Sequence, residues 1–174
     1  MSLLRPTTSE VVKQDLIEYC CEVYQMDHNG LHGYAHWMRV LHNGRLLAKA
    51  EGANIKVVEL FCLLHDTHRQ NENIDPKHGY RAAQFTKTLK GVWFDADDEE
   101  MELLEEALAY HSDGYTEGNI TVQVCWDADR LDLGRVGIKP IPSRLCTPTA
   151  KSANVLAAAY QRSVTILKVG KETI

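Results

Sequence analysis

The sequence lacks the features that would place it in a membrane, among disulfide-bonded proteins or on nucleic acid. No apolar run approaches the roughly 20 residues that a membrane helix needs. The N-terminal MSLLRPTTSEVVKQ has no apolar core of a secretion signal. The five cysteines show no C-x-x-C spacing and are odd in number, which favours free thiols in a reducing compartment. The net charge of −5 provides no basic field for a nucleic-acid polymer. A cytoplasmic protein is therefore expected.

The length and composition of the chain are typical of one globular domain with a hydrophobic core. The chain has 174 residues, of which 44% are hydrophobic and 25% are charged. No internal repeat, low-complexity tract or linker divides it, so we predict a single domain over residues 1–174.

The spacing of apolar residues predicts an all-α bundle of about seven helices. The β-branched start of ITVQVCWDADRLDL also allows a strand, but Val122, Cys125, Trp126 and Asp129 share a helical face, so a helix is preferred. The predicted helical segments are 7–24, 34–49, 55–66, 75–91, 95–111, 120–133 and 149–169.

Local signals mark several of the predicted helix ends. A Thr7-x-x-Glu10 capping box begins the first helix. Gly52 ends the second helix, and Asn54 caps the third. An Asp-Pro pair at 75–76 supplies an N-cap and a first helical position for the fourth.

The adjacent pair His65-Asp66 ends the apolar run FCLLHD and offers two ligands for a divalent cation. His36 lies upstream, and Asp129 lies downstream in WDADRLDLGRVG. His36, the His65-Asp66 pair and Asp129 fall on three different predicted helices, so together they would close a metal site inside the bundle. The set uses no sulfur, which argues against a structural zinc site.

These residues resemble the signature of the HD-domain superfamily, which has a first histidine, an adjacent His-Asp and a late Asp. The match to HGYAHWMRV, LLHD and DADRL covers about residues 31–136. The resemblance implies a helical bundle around the metal site. It further implies a phosphohydrolase that uses metal-activated water on a small phosphorylated metabolite or nucleotide. One or two ions of Fe, Mn, Mg, Co, Ni or Zn are the expected cofactors.

Asp127 and Asp129 compete for the last ligand position. They lie about 200° apart on a helix, so only one of them is expected to face the metal. We favour Asp129 because it is the Asp of the ADRL pattern. Asp127 would instead orient a ligand through a hydrogen bond.

Three more histidines are candidates for a second metal or for the pocket. Some superfamily members carry two extra histidines between His-Asp and the last Asp, and His78 and His111 suit that role, with Asp66 as the bridging carboxylate. Alternatively, His78 donates to a neighbouring carboxylate and His111 is a favourable charge at a helix C-terminus. His32 lies four residues before His36, either as a paired ligand or as a loop residue that lines the pocket.

The segment HDTHRQNENIDPKHG supplies further candidate groups. Asp66 and Glu72 are the candidate catalytic residues. Glu72 would act as a general base, and a solvated charge is its alternative role. The Glu-Asp pair that follows His-Asp in guanosine tetraphosphate hydrolases is missing, since His68-Arg69 stands there. A guanidinium fork suits phosphate oxygens. The candidate phosphate-binding residues are Arg69, Lys77, Arg81, Arg130 and Arg135.

Two other functions remain open at this stage. A di-iron oxygenase would use the same bundle with His78 and His111 as extra ligands, and a ligand sensor would keep the metal site without turnover. The last helix carries an apolar face with Val155, Leu156 and Ala159, together with Val164 and Leu167, that would either form a homodimer or close the core.

Overall fold

The computed structural model describes residues 8–169 and confirms the all-α prediction. Within these residues there is no β-strand, only an isolated bridge between Lys90 and Phe94. The eight helices are α1 (Gln14–Val23), α2 (Tyr34–Glu51), α3 (Ile55–Leu64), α4 (His78–Leu89), α5 (Asp98–Tyr110), α6 (Ile120–Arg130), α7 (Pro148–Lys151) and α8 (Ala153–Val169). Short 3-10 turns at Leu133–Val136 and Pro142–Arg144 lie between α6 and α7.

The helices pack around α3, whose residues 57–64 are all buried. Helix α2 lies along both α3 and α6, and α4 lies along α5, which also contacts α3. The largest fully buried side chains include Trp37, Phe61 and Trp126. All five cysteines are free thiols, and four of them are buried. Among residues 8–169, no helix combines the length and the apolar character needed to cross a bilayer.

Several predicted helix ends are confirmed by hydrogen bonds. Gly52 ends α2 with a φ of 70°, and its backbone N–H donates to the carbonyl of Ala48. The Asn54 side chain accepts hydrogen bonds from the backbone N–H groups of Lys56 and Val57. Asn119 caps α6 in the same way, so ITVQVCWDADR is helical and the strand alternative is excluded.

Two predicted helix starts are wrong. Helix α1 begins at Gln14, because the Ser9 hydroxyl accepts from the N–H groups of Val11 and Val12 and forms a turn there. Thr7 lies outside the described residues. Helix α4 begins at His78 rather than at 75–76, because the Asp75 carboxylate binds the N–H of Gln70 and the Arg81 guanidinium.

The C-terminal helix is divided in two. Thr147 caps the short α7, and the extended Ser152 (ψ 141°) separates it from α8. The face of α8 closes the core, since Ala159 is buried and Val155 and Leu156 pack against buried side chains. The side chain of Leu167 lies outside the described residues. The homodimer therefore stays a prediction.

Candidate metal centre

Six metal-ligating side chains from five helix ends meet in the interior of the bundle. His36 lies in the first turn of α2, and the His65-Asp66 pair directly follows α3. His78 begins α4, His111 follows α5, and Asp129 lies in the last turn of α6. Helix ends carry unsatisfied backbone groups and adjoin loops, so they can place polar side chains at one point without breaking the apolar packing.

One half of the cluster contains His36, His65 and Asp129. The Nε2 atoms of His36 and His65 are 2.9 Å apart. Asp129 Oδ1 lies 3.4 Å from the His36 nitrogen and 3.8 Å from the His65 nitrogen. Asp66 Oδ2 lies 3.4 and 3.5 Å from the same two nitrogens. Two imidazoles and two carboxylates thus converge on one point.

The other half contains His78 and His111, whose Nε2 atoms are 2.7 Å apart. The second carboxylate oxygen of Asp66, Oδ1, lies 3.4 Å from the His78 nitrogen and 3.9 Å from the His111 nitrogen. Asp66 therefore lies between the two halves and presents one oxygen to each. This is the arrangement that a bridging carboxylate requires.

Backbone carbonyls fix the orientation of three of the four imidazoles. His65 Nδ1 donates to the carbonyl of Cys62, and His111 Nδ1 donates to that of Leu108, each three residues earlier. His78 Nδ1 donates to the carbonyl of Asp75, also three residues earlier. Carbonyls at a helix C-terminus lack intrahelical partners, so His65 and His111 each satisfy one of them and turn Nε2 towards the cluster. The His78 ring is held in the same way by a carbonyl of the loop before α4.

His36 is oriented by a side chain that the sequence analysis did not single out. Its Nδ1 lies 2.7 Å from Asp132 Oδ2. The Arg39 guanidinium holds the same carboxylate, with Nε 2.6 Å from Oδ1 and Nη2 2.9 Å from Oδ2. Asp132 lies three residues after Asp129, and this spacing in DADRLD was the available signal.

Burial controls the protonation of the cluster. It lowers the pKa of His65 to about 3 and also lowers that of His78, so both rings are neutral. Burial disfavours the charge of His36 as well, but the carboxylates of Asp129, Asp132 and Asp66 beside its ring outweigh it and raise its pKa to about 9. Burial opposes ionisation of Asp66 and Asp129, yet the neighbouring imidazoles hold the pKa of both carboxyls well below the usual range.

Two unpaired oxygens show that the cluster fits a metal. Asp66 Oδ1 and Asp129 Oδ1 are buried, and neither has a hydrogen-bond partner among the described residues. An ionised carboxylate oxygen cannot stay buried without compensation. In addition, two unprotonated imidazole nitrogens repel each other at 2.7 Å unless a proton or a metal ion lies between them. Nitrogen and carboxylate donors of this kind suit divalent transition metals and magnesium.

A cavity of about 530 Å³ opens beside the cluster. Asp66, His78, His111 and Asp129 form part of its wall, and His32 also lines it. Five cationic side chains line the cavity against only two carboxylates, although the whole chain has a net charge of −5. The lining cations are Arg69, Arg130, Arg135, Lys139 and Arg144. The cavity is therefore suited to an anionic ligand.

The structure places two of the candidate phosphate-binding residues beside the carboxylates of the cluster. Arg69 Nη1 lies 3.6 Å from Asp66 Oδ1, and Arg135 Nη2 lies 3.8 Å from Asp129 Oδ1. Arg130 also lines the cavity. By contrast, Arg81 pairs with Asp75, and the exposed Lys77 is not in the cavity wall. Those two are not brought to the site.

Glu72 and Asp127 have partners outside the six-residue cluster. Glu72 hydrogen-bonds the Nδ1 of His32, so it reaches the cavity only through that ring. Asp127 accepts from the backbone N–H groups of Cys146 and Thr147 at 2.7 Å and from the Thr147 hydroxyl. It therefore anchors the loop before α7 and orients no metal ligand, contrary to the role suggested from sequence.

Comparison with known proteins agrees with this arrangement. The family model described as HD domain matches residues 33–134. A crystal structure of a predicted HD superfamily hydrolase from an uncultured Thermotogales bacterium superimposes with a TM-score of 0.66. The two sequences are 22% identical, and the alignment covers 91% of each chain, which shows a shared fold. No curated protein matches the chain.

Proposed function

The chain belongs to the HD domain family, and on this premise we propose that it is a metal-dependent phosphohydrolase acting on a small phosphorylated metabolite or nucleotide. The family model covers the residues of the metal cluster from His36 to Asp129. The observation that carries the proposal is the position of Asp66, whose two oxygens face two separate pairs of imidazole nitrogens inside a cation-lined cavity.

In this proposal the cluster holds one or two divalent ions. His36, His65, Asp66 and Asp129 hold the first, and Asp66, His78 and His111 hold the second. When bound, such ions supply a water nucleophile that ionises near neutral pH and neutralise phosphate charge. Asp66 is then the residue on which both metal positions depend.

The surrounding side chains bind the phosphoryl group and handle protons. Arg69 and Arg135 lie within 4 Å of Asp66 and Asp129 respectively, so their guanidinium groups bind phosphoryl oxygens beside the cluster. His32 lines the cavity and exchanges a proton with the leaving group through Nε2. Glu72 holds the His32 ring through Nδ1 and partly offsets the burial that lowers the pKa of His32.

A di-iron oxygenase is the second candidate, favoured by the pairing of His78 with His111 across Asp66. The surplus of cations in the cavity favours the phosphohydrolase, because an oxygenase has no general need for an anionic substrate. Oxygen consumption with tightly held iron and no phosphatase activity would establish the oxygenase. A metal-loaded protein that binds phosphorylated ligands but turns over none of them would be a sensor.

The Asp66→Ala variant tests the proposed function. It should lose both bound metal, measured by elemental analysis, and hydrolysis of phosphate esters, while its circular dichroism keeps the helical signal. The matched control is Asp95→Ala, which removes an exposed carboxylate outside the cluster and the cavity and should keep both properties. Full turnover by Asp66→Ala would exclude the proposed scheme.

A further inference from the structure

Arg130 is a buried cation in the cavity wall that has no carboxylate partner among the described residues. It is the last residue of α6 and is 9% exposed. Its guanidinium lies 5.7 Å from the centre of the Trp126 ring. One nitrogen, Nη1, contacts the carbonyl of Arg144 at 3.2 Å and the sulfur of Cys146 at 3.5 Å. These contacts fix the side chain in place but leave its charge uncompensated.

Of the three buried arginines that line the cavity, Arg130 is the one without a carboxylate partner among the described residues. Among residues 8–165 no carboxylate oxygen lies within 4 Å of Arg130, and its Nη2 is buried without an acceptor. The Asp127 carboxylate on the same helix is already bound by the N–H groups of Cys146 and Thr147. By contrast, Arg135 is close to both Asp129 and Asp132. Burial of an unpaired charge is strongly unfavourable, so an anion is expected to complete the Arg130 site.

The neighbouring cavity wall extends this positive surface. Lys139 and Arg144 are exposed residues that line the same cavity as Arg130. Neither of them has an ion pair with a described residue, whereas Arg69 lies 3.6 Å from Asp66 at the cluster. The cavity therefore carries two positive regions, one beside the metal ligands and one on the segment from α6 to α7.

We propose that Arg130, Lys139 and Arg144 form a second anion subsite, and that the substrate carries two anionic groups. This inference rests on the proposed function: the cluster binds the phosphoryl group that is hydrolysed, and the subsite binds a second phosphate or carboxylate of the same molecule. The part of the substrate between them is largely apolar, because most of the remaining wall is formed by the apolar side chains of Leu133, Val136, Ile138, Pro140, Ile141 and Leu145. The hydroxyl groups of Ser112, Thr116 and Ser143 are its polar part.

The test compares ligands that differ only in the second anion. Calorimetry on the metal-loaded chain measures the binding of alkane diphosphonates and of alkyl monophosphonates of equal length, in a series of lengths. Phosphonates are not hydrolysed, so binding is measured apart from turnover. At the best length, the diphosphonate should bind about tenfold or more tightly than its monophosphonate, as expected for one charge-assisted hydrogen bond.

Two variants test whether the subsite causes the tighter binding of the diphosphonate, which is called its advantage below. Arg130→Met keeps an apolar contact with Trp126 but removes the charge, and Arg144→Gln removes an exposed cation while the backbone carbonyl that Arg130 binds remains. Both should reduce the advantage of the diphosphonate and leave monophosphonate binding unchanged. Lys49→Gln, an exposed residue at the end of α2, is the matched control and should retain the advantage.

The outcomes separate the subsite from the proposed reaction. Equal binding of the two ligands, or an advantage that survives in both variants, overturns the subsite, even if phosphate esters are hydrolysed. An advantage that is lost in Arg144→Gln supports the subsite even if Arg130→Met fails to fold. If the diphosphonate binds more tightly but the protein hydrolyses no phosphate ester, the subsite is supported and the phosphohydrolase proposal is excluded.

Discussion

At the scale of single residues, Asp132 connects the metal cluster to the rest of the fold. Its carboxylate accepts from His36 Nδ1 and is held by two nitrogens of Arg39. A carboxylate in this position fixes the ring orientation of a ligand and makes its other nitrogen a stronger donor. The hydrogen bonds that Arg39 and His36 form with Asp132 thus determine how well His36 can bind a metal.

Asp132→Asn should weaken metal binding about 10–100-fold, because the amide still accepts a hydrogen bond from His36 but lacks the negative charge. Competition with a chelator of known affinity measures the change. The same variant leaves the Arg39 guanidinium unpaired, and loss of one partner of a buried ion pair costs about 3–5 kcal/mol of unfolding free energy.

Arg39→Gln separates these two effects. It breaks the same ion pair but keeps the carboxylate on His36, so it should reduce the unfolding free energy while affecting metal affinity much less. If the two variants lose the same metal affinity, Asp132 contributes only to packing, and the proposed role in orienting His36 is wrong.

At the scale of helices, two glycines allow the close approaches that assemble the cluster. A Cβ added at Gly44 would lie 2.7 Å from the Cys62 sulfur, where α2 meets α3. A Cβ at Gly79 would lie 2.3 Å from the carbonyl oxygen of Leu108, where α4 meets α5. Gly44 therefore lets the helices of His36 and His65 pack closely, and Gly79 does the same for those of His78 and His111.

Gly79→Ala should remove the second metal position selectively. The new Cβ clashes with backbone, which cannot rotate away, so α4 must move from α5 and separate the His78 and His111 nitrogens. Elemental analysis should show bound metal falling from two ions per chain towards one. The added methyl group should also cost about 1–3 kcal/mol of unfolding free energy, measured by denaturant titration.

Gly44→Ala is the comparison for this experiment. It introduces a similar clash at the α2–α3 contact, with the side chains of Val58 and Cys62. It should destabilise the protein without a selective loss from the His78–His111 pair. Two ions retained by Gly79→Ala at wild-type affinity would show that the close approach of α4 and α5 does not position these ligands.

At the scale of the whole molecule, the sequence predicted the helices better than it predicted their beginnings. Apolar spacing was sufficient for α2, α3, α5 and α6, because each of them buries a continuous face and has a local cap. It was insufficient near Asp75, which binds Arg81 six positions later instead of capping a helix, and near Ser9, which binds Glu59 at a separation of 50 positions. Such tertiary contacts leave no local pattern in the sequence.

The candidate site shows the same limit. His36, His65, Asp66 and Asp129 could be identified because each contributes a ligand type at the end of an apolar helix. The cation-lined wall could not be predicted, because residues 133–145 have no regular period and reach the cavity only through the turns of the chain between α6 and α7. The Asp132 contact with His36 spans 96 positions in the sequence and depends on the packing of α2 against α6.

Metal removal should destabilise the whole fold, because the buried cluster lies where five helices meet. Without an ion, Asp66 Oδ1 and Asp129 Oδ1 are buried and have no hydrogen-bond partner among the described residues. An ion that binds only the folded state stabilises it by about 4 kcal/mol at a thousandfold excess over its dissociation constant. Dialysis against a chelator should therefore lower Tm by about 10 °C for a chain of this size. Addition of a divalent ion should restore Tm in a concentration-dependent way.

The Asp66→Ala protein, which lacks the shared ligand, is the control and should show no response to either treatment. An equal loss of Tm in this variant on chelation would show that the chelator acts elsewhere than at the cluster.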